Sequence, residues 1–354
     1  MLGRRRRLAI LAEGCFTALE AKTAVGVLRY RGDEVAAVIV STRAGRTADS
    51  CVGSGGETPV VANLEEAAAR GADSLLIGIA PQGGALPEVW RERVRGSLER
   101  GWDVISGLHA FLGDDPELAA AARQGGGRIH DLRRPPEARR VATGRAARVA
   151  PLVVLTVGSD CNVGKMTTAL EIERELVKRS VHATFVATGQ TGIMIADRGV
   201  AVDAVPADFV AGAAESLVLE AAGAGADVVL VEGQGALHHP GYSGVTLALM
   251  HGVCPRALVL CHHQGRDRIR VSEERDSGPR IPALAELRLA YEAAASWVSP
   301  ASVVAASLNT LGLDGAAARS ACEAVERELG VPATDPVRFG AARLADAIEE
   351  GACG

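Results

Sequence analysis

One stretch of the sequence restricts the possible fold more than any other: VVLTVGSDCNVGKMTTALEIE, from Val153 to Glu173. It begins with a continuous apolar run, typical of a buried strand, turns on glycine and continues with the spacing of an amphipathic helix. Lys165 directly follows Gly164, the second glycine of the loop that begins at Gly158. Glycines let several backbone N–H groups point at one phosphate, while the helix start and the lysine supply positive charge. The order predicts a phosphate-binding loop, and a plain turn with a surface lysine is the alternative.

The loop departs from the most common pattern in two ways. It has one residue more between its glycines than G-x-x-x-x-G-K-[ST], and Met166 stands where that pattern has the hydroxyl that binds Mg²⁺. The spacing by itself favours ATP, whereas the missing hydroxyl leaves magnesium coordination open. The predicted phosphate-binding residues are Gly158, Asp160, Asn162, Val163, Gly164, Lys165, Met166, Thr167 and Thr168.

A second candidate segment, ADVVLVEGQGALHHPGYSG, ends a hydrophobic strand with Glu232. Ligands bind at the carboxyl ends of parallel strands, so Glu232 is predicted to act as a base or to hold a metal ion. His239 is a second candidate, because a neutral imidazole beside Glu232 would take a proton from an attacking amine. The structural alternatives are a helix cap or ion pair for Glu232 and a loop histidine satisfied by backbone for His239.

Other polar residues are predicted to contact the substrate. Gln190 and Thr191, in VATGQTGIMIADRG, follow the second strand of their domain, and a tight turn competes with this interpretation. Asp208 is predicted to be a helix cap, a ligand for a substrate amine or both, and Tyr242 lies near His239. Basic side chains match carboxylates, although structural ion pairs are the alternative. The predicted carboxylate-binding residues are Lys22, Arg43 and Arg338.

The overall charge argues against a polyanionic partner. The chain of 354 residues has a net charge of −5 and a pI near 6.0, whereas nucleic acid or an anionic membrane requires a large basic surface. A small-molecule partner is therefore predicted. No apolar run approaches the roughly 20 residues of a membrane span, and the basic start is followed by too short an apolar run for a secretory signal. A cytoplasmic location is expected.

Cysteine and histidine form no recognised metal-binding pattern. The seven cysteines include no C-x-x-C pair, so reduced thiols are expected. Five histidines fall between residues 238 and 263, but their spacing matches no known ligand set, so no metal site is predicted among these histidines and cysteines.

The length of the chain and its alternation of apolar runs with turn residues predict two domains, since a single hydrophobic core stops growing beyond about 250–300 residues. Residues 1–132 alternate apolar runs with helical patterns, residues 133–148 are predicted to be a linker rich in proline and arginine, and residues 149–354 contain a second βαβ series. The fold class is therefore α/β: a Rossmann-like N-terminal domain, then a P-loop NTPase-like three-layer domain with a mostly parallel sheet. The strands predicted in the second domain are Val153–Val157, Ala183–Ala187, Val228–Val231, Ala257–Leu260 and Val303–Ala306.

These segments carry a resemblance. GSDxxVGK together with VEGQG looks like the dethiobiotin synthetase branch of P-loop proteins. More closely, the whole chain resembles a family long catalogued as a domain of unknown function, in which a D-glutamate N-acetyltransferase has been recognised. The matching segments include AKTAVGVLRY, GSDCNVGKMTTALE, VEGQGALHHPGYSGVTLALMHG and DPVRFGAARLADA. Methionine after the lysine is usual in that family.

The resemblance implies an N-acyltransferase that uses acetyl-CoA or a related thioester, with an acidic amino acid such as D-glutamate as acceptor. Because the donor contains adenosine diphosphate, the loop would anchor phosphates without transferring them. Likeness to dethiobiotin synthetase implies that Asn309 reads the adenine edge, and a turn-forming role is the alternative. An ATP- and Mg²⁺-dependent carboxylate ligase or kinase is the first alternative function, and a non-enzymatic nucleotide sensor is the second. The acceptor and the formation of a homo-oligomer stay open.

Overall fold

The computed structural model describes residues 6–18, 20–79, 86–270 and 278–352. The strands are β1 (Leu8–Leu11), β2 (Val35–Ile39), β3 (Val60–Val61), β4 (Ser74–Ile77), β5 (Asp103–Ser106), β6 (Ile129–Asp131), β7 (Leu152–Gly158), β8 (Ala183–Val186), β9 (Val228–Val231), β10 (Ala257–His263), β11 (Ser302–Asn309) and β12 (Ala333–Thr334). The helices are α1 (Lys22–Tyr30), α2 (Ala48–Val52), α3 (Leu64–Ala68), α4 (Glu88–Glu99), α5 (Pro116–Gly125), α6 (Lys165–Lys178), α7 (Gln190–Ala196), α8 (Ala207–Gly223), α9 (Ser243–Val253), α10 (Leu284–Ser296), α11 (Gly315–Leu329) and α12 (Ala342–Ala352).

The first compact unit comprises residues 1–135 and 190–204. Its sheet has six parallel strands in the order β3-β2-β1-β4-β5-β6, which is the Rossmann order with a switch point between β1 and β4. Helix starts are encoded locally: the Asp115 carboxylate accepts from the N–H groups of Glu117 and Leu118, and Pro116 occupies the first turn of α5. The predicted Rossmann-like domain is confirmed.

Residues 190–204 lie outside the sequence range predicted for the first domain, yet they pack with it. α7 contacts α1, and Arg31 donates hydrogen bonds to the Met194 carbonyl and the Asp197 carboxylate at 2.8 Å each. Arg133 also pairs with Asp203. The chain therefore leaves the second unit after β8 and returns to it before α8.

The second unit comprises residues 136–189 and 205–354, and its six parallel strands are ordered β12-β11-β10-β7-β9-β8. β7 lies between β9 and β10, so the segments that follow these three strands meet at one edge of the sheet. Residues after the carboxyl ends of parallel strands are positioned to contact ligands. The predicted P-loop-like domain with a parallel sheet is confirmed.

The apolar run of β7 is explained by burial on both faces. Val153, Leu155 and Val157 belong to one core cluster, whereas Leu152 and Val154 belong to a cluster on the other face. Alternation along a strand sends successive side chains to opposite faces, so a sheet covered by helices on both sides requires a continuous hydrophobic run.

The predicted linker is partly ordered against α8. Glu215, which is buried, accepts hydrogen bonds from the N–H groups of Thr143 and Arg145 at 3.1 and 2.7 Å. Gly212 permits this approach, because a Cβ there would lie 1.8 Å from the Arg140 carbonyl oxygen. Residues 140–145 thus form part of the second unit. Among the described residues, no helix combines the length and apolar character needed to cross a bilayer.

Candidate functional site

The predicted phosphate-binding loop, called the phosphate loop below, joins β7 to α6 and has the backbone conformation that its glycines permit. Gly164, at the helix start, has φ +112°, a value that side-chain-bearing residues rarely adopt, and Asn162 has φ +57°. A Cβ on Gly158 would lie 2.9 Å from Val163 and 3.0 Å from the Lys165 ammonium. Tyr291, which sequence reasoning missed, donates from its hydroxyl to the Gly158 carbonyl at 2.8 Å. The loop is therefore fixed from within and from α10.

Lys165 is buried inside this loop. It is 7% exposed, its ammonium donates to the Asp160 carbonyl at 2.8 Å, and burial lowers its pKa. Gly233 allows the contact with the segment after β9, because a Cβ there would lie 3.0 Å from Lys165 Cδ and 1.7 Å from the Thr156 carbonyl oxygen. The structure thus brings Lys165 close enough to Glu232 for each charge to act on the pKa of the other.

Of the two threonines that follow Met166, Thr168 has its hydroxyl engaged in the core. Met166 and Thr167 are half-buried. Thr168 is fully enclosed, and its hydroxyl lies 2.7 Å from that of Ser307 and accepts from the Cys261 thiol at 3.6 Å. The Thr168 oxygen is thus directed to the core beside β11.

Glu232 is a buried carboxyl directly after β9. Its Oε2 accepts from the N–H groups of Thr188 and Gly189 at 3.0 and 3.1 Å. Burial raises the pKa of Glu232 from its usual value to about 7, although these hydrogen bonds and the Lys165 charge act in the opposite direction. The group therefore changes charge near neutral pH, which suits either a proton acceptor or a pH-sensitive neighbour of a ligand.

His239 lies beside the loop as a hydrogen-bond donor. Its Nδ1 accepts from the Gly241 N–H at 3.0 Å, so the neutral ring carries its proton on Nε2. That nitrogen is buried, has no hydrogen-bond partner in the described part of the chain, and lies 4.0 Å from Asp160 Oδ1. Burial also lowers the pKa of His239. A nitrogen that carries a proton does not accept one, so this geometry favours a donor role over the predicted base. The Tyr242 ring packs on His239 with centroids 4.5 Å apart.

Asp160, Cys161 and His239 also deserve a test as metal ligands, because one ligand atom from each lies within 4.8 Å of the others. A metal-bound histidine normally donates its second ring N–H to an acceptor. In His239 that second nitrogen is itself the acceptor of the Gly241 N–H. The tautomer of His239 therefore argues against metal binding by this trio.

The structure adds Arg266, a residue that sequence reasoning missed, to the phosphate loop. It follows β10, and its Nη1 donates to Asp160 Oδ2 at 2.9 Å and to the Cys161 carbonyl at 2.8 Å. The signal was the arginine-rich segment GRDRIR, placed directly after a strand of the same sheet. Strand order, which the sequence does not reveal, decides that this segment reaches the loop.

Four of the predicted substrate residues lie in the first unit. Gln190 and Thr191, at the start of α7, contact the Thr23 hydroxyl at 3.0 and 2.9 Å. Lys22 begins α1 and is exposed, whereas Arg43 donates to the Phe16 carbonyl at 2.6 Å. Lys22, Gln190 and Thr191 therefore cluster around the start of α1. Their substrate roles stay predictions.

The remaining candidates lie in the second unit. Asp208 is exposed in the first turn of α8. Asn309 ends β11, and its Oδ1 accepts from the Leu311 N–H at 3.0 Å, which is the turn-forming contact. Arg338 donates to the Thr310 carbonyl at 3.4 Å near the buried Asp335. Asn309 and Arg338 therefore lie close to the same segment, and neither adenine nor carboxylate recognition is tested by these contacts.

Two parallel α/β sheets, the second with a lysine-bearing phosphate loop between its central strand and a helix, define the class of P-loop proteins with a Rossmann-like domain. The chain belongs to the DUF1611 family. Residues 140–345 match its C-terminal P-loop domain and residues 41–135 its N-terminal Rossmann-like domain, both described as domains of unknown function.

Similar proteins cover almost the whole chain. A D-glutamate N-acetyltransferase from Tritonibacter scottomollicae is 41% identical over 93% of this chain and 94% of its own length. One from a Pseudoalteromonas species is 39% identical over 78% of this chain and 81% of its own length. A DUF1611 family crystal structure from Anabaena variabilis superposes with a TM-score of 0.91 at 38% identity, covering 98% of this chain and 99% of that one. The chain is thus an N-acetyltransferase-like P-loop enzyme.

Proposed function

We propose that this protein transfers the acetyl group of acetyl-CoA to the amino group of an acidic amino acid, with D-glutamate as the first acceptor to test. The observation that carries the proposal is a complete phosphate loop whose Lys165 is buried in place while Met166 occupies the position of the magnesium-binding hydroxyl. Such a loop suits a donor whose phosphates are held and not transferred. The names of the two relatives support the acceptor and the acetyl group.

The phosphates of the donor would lie on the loop between Gly158 and Gly164. Backbone N–H groups at the start of α6 and the Lys165 ammonium provide the positive field that phosphate oxygens need. His239 adds a neutral Nε2–H donor beside the loop. The N–H group of a neutral imidazole can hydrogen-bond to a phosphate oxygen at every pH above the ordinary range of histidine ionisation.

The position of Glu232 sets a condition on the reaction. Glu232 immediately precedes the Gly233 backbone that contacts the Lys165 stem. In acetyl-CoA, the long pantetheine arm separates the thioester from the pyrophosphate by more than the reach of one side chain. A single acetyl-CoA molecule therefore cannot place its phosphate at Lys165 and its thioester beside Glu232 at the same time. If the phosphate binds Lys165, Glu232 does not deprotonate the attacking amine. We place the phosphate on Lys165, which makes Glu232 a neighbour of the phosphate end.

Acetyl transfer itself needs no phosphoryl chemistry. The neutral amine attacks the thioester carbonyl, the new C–N bond forms, the C–S bond breaks, and the departing thiolate takes up the proton that the amine loses. The products are free CoA and the N-acetylated amino acid.

The test uses the purified full-length protein with acetyl-CoA and D-glutamate, with L-glutamate and no acceptor as matched arms. Thiol release and the mass of the product are followed together. We expect one free thiol for each N-acetylated product, without nucleotide breakdown. Amine-dependent release of ADP or AMP from ATP–Mg²⁺, with no thiol released from acetyl-CoA, would replace this proposal with the ligase function.

A further inference from the structure

Asp160 places an acidic side chain inside the proposed phosphate-binding loop. Its side chain is completely buried and would repel an anion if it were not compensated. Oδ1 accepts from the Cys161 N–H at 2.6 Å, and Oδ2 accepts from Arg266 Nη1 at 2.9 Å and from the Arg270 N–H at 3.1 Å. Both carboxylate oxygens are therefore engaged, and the only side-chain cation that hydrogen-bonds to them in the described part of the chain is Arg266.

Arg266 uses only part of its hydrogen-bonding capacity in these contacts. Nη1 donates to Asp160 and to the Cys161 carbonyl, and the side chain is 17% exposed. A guanidinium has five N–H donors in a rigid fork. Within the described ranges, Nε and Nη2 of Arg266 have no hydrogen-bond partner. The Nε–Nη2 edge is one that matches two phosphate oxygens at once.

An independent feature of the same cluster also points to an anion. The buried Nε2 of His239 has no acceptor among the residues that the structure describes, and it lies 4.0 Å from Asp160 Oδ1. Three donors therefore converge on the loop: the Lys165 ammonium from inside, Arg266 from the segment after β10, and His239 from the segment after β9.

We propose that Arg266 is a second cationic ligand for a phosphate of acetyl-CoA, and that Asp160 is the positioning residue that holds its guanidinium at the loop. The inference rests on the proposed function, because it names a further contact to the same donor. Asp160 neutralises Arg266 before the donor binds and fixes the orientation of its fork. Two phosphate sources share this chemistry in the donor, the pyrophosphate and the 3′-phosphate.

The experiment compares Arg266→Ala with Arg268→Ala in the full-length protein at saturating acceptor. Arg268 is a matched control, because it lies on the same segment but donates to the Gly278 carbonyl and makes no hydrogen bond to the loop among the described residues. Loss of a hydrogen-bonded charge contact should raise the KM for acetyl-CoA roughly tenfold to a hundredfold in Arg266→Ala, with kcat changed by less than about threefold. Arg268→Ala should stay within about twofold of the wild type, as expected for a side chain that touches no ligand.

Two further variants separate ligand binding from a structural clamp. Arg266→Lys keeps the charge but not the fork, so it should recover part of the lost affinity. Asp160→Asn should raise the same KM by a smaller factor, and Asp160→Asn with Arg266→Ala should be no worse than Arg266→Ala alone, since both act through one contact.

Replacing acetyl-CoA with 3′-dephospho-acetyl-CoA identifies which phosphate Arg266 binds. If the effect of Arg266→Ala persists with 3′-dephospho-acetyl-CoA, the ligand is the pyrophosphate; if it disappears, the ligand is the 3′-phosphate. A KM equal to that of Arg268→Ala, or a loss seen only in the unfolding temperature, would overturn the proposal while leaving the proposed function intact. Absence of acetyl-CoA turnover by the wild type would instead contradict both the proposed function and the proposed role of Arg266.

Discussion

Lys165 donates a 2.8 Å hydrogen bond from its ammonium group to the main-chain carbonyl of Asp160 within the same loop. Burial lowers the pKa of this lysine, because the ammonium is removed from water. The ammonium group has three N–H donors and uses one of them on this carbonyl, the only hydrogen bond it makes to the described residues, so two remain for an arriving phosphate. The contact holds the side chain ready for an anion.

The first prediction is that Lys165→Ala loses donor binding but keeps the fold. Removing the cation should raise the KM for acetyl-CoA at least about tenfold and abolish the rise in unfolding temperature that acetyl-CoA is expected to cause in the wild type. Lys178→Ala is the matched control, since Lys178 lies on the same helix and is 74% exposed. Equal donor affinity in the two variants would contradict the phosphate-binding role of Lys165.

The second prediction concerns the position after the lysine. Met166→Thr restores the hydroxyl that metal-binding loops use, yet ATP hydrolysis should remain negligible, because the proposed chemistry transfers no phosphoryl group. Acetyl transfer should be unchanged or reduced through lost packing of the half-buried methionine. Met166→Leu, which keeps an apolar side chain, is the control. Metal-dependent ATP turnover that appears in the threonine variant alone would favour the ligase function.

The order of strands and helices along the second domain could be predicted from the sequence, because fully buried parallel strands produce uninterrupted apolar runs. The predicted strand Val228–Val231 matches β9, whereas β10 and β11 continue beyond their predicted ends to His263 and Asn309. Those extensions pair His262 with Leu308 and His263 with Asn309. The hydrophobic pattern does not predict these strand extensions, because the polar residues in them lie at the carboxyl ends of the strands.

The parts that were missed depend on contacts between distant segments. Residues 190–204 join the first unit through hydrogen bonds to α1 residues such as Thr23, and nothing in their own composition indicates that choice. Tyr291 and Arg266 reach the phosphate loop from elements far away in sequence. Local patterns locate the loop and Glu232, but they do not specify which remote side chains complete the site.

The third prediction tests the packed part of the predicted linker. Glu215→Ala leaves the N–H groups of Thr143 and Arg145 without their acceptor, which should lower the free energy of unfolding by about 2–4 kcal/mol. Glu220→Ala, at an exposed position of the same helix, should change it by less than about 0.5 kcal/mol. Chemical denaturation of both variants measures the difference. Equal stabilities would show that residues 140–145 are not held by Glu215.

The fourth prediction uses the ionisation of Glu232, whose pKa burial raises to about 7. Below that pH the carboxyl is neutral; above it, a negative charge lies beside the phosphate end of the donor. Donor affinity of the wild type should therefore fall as pH rises through 7, approaching about tenfold for each further pH unit if only the neutral form binds. Glu232→Gln stays neutral and should remove this dependence while leaving kcat nearly unchanged.

The same substitution also changes stability in a defined direction. The folded-state pKa of Glu232 lies above its ordinary value of 4.5. Between about pH 4.5 and 7 the folded protein therefore retains a proton that the unfolded chain has lost. The stability of the wild type consequently falls as pH rises through this window. Glu232→Gln should therefore gain stability relative to the wild type at pH 8 compared with pH 5, whereas the exposed control Glu220→Gln should show no such trend. Calorimetric donor binding and thermal unfolding of the three proteins at both pH values measure these effects. A loss of kcat by about a hundredfold or more in Glu232→Gln, with unchanged donor affinity, would instead identify Glu232 as the base and place the thioester, not a phosphate, beside Lys165.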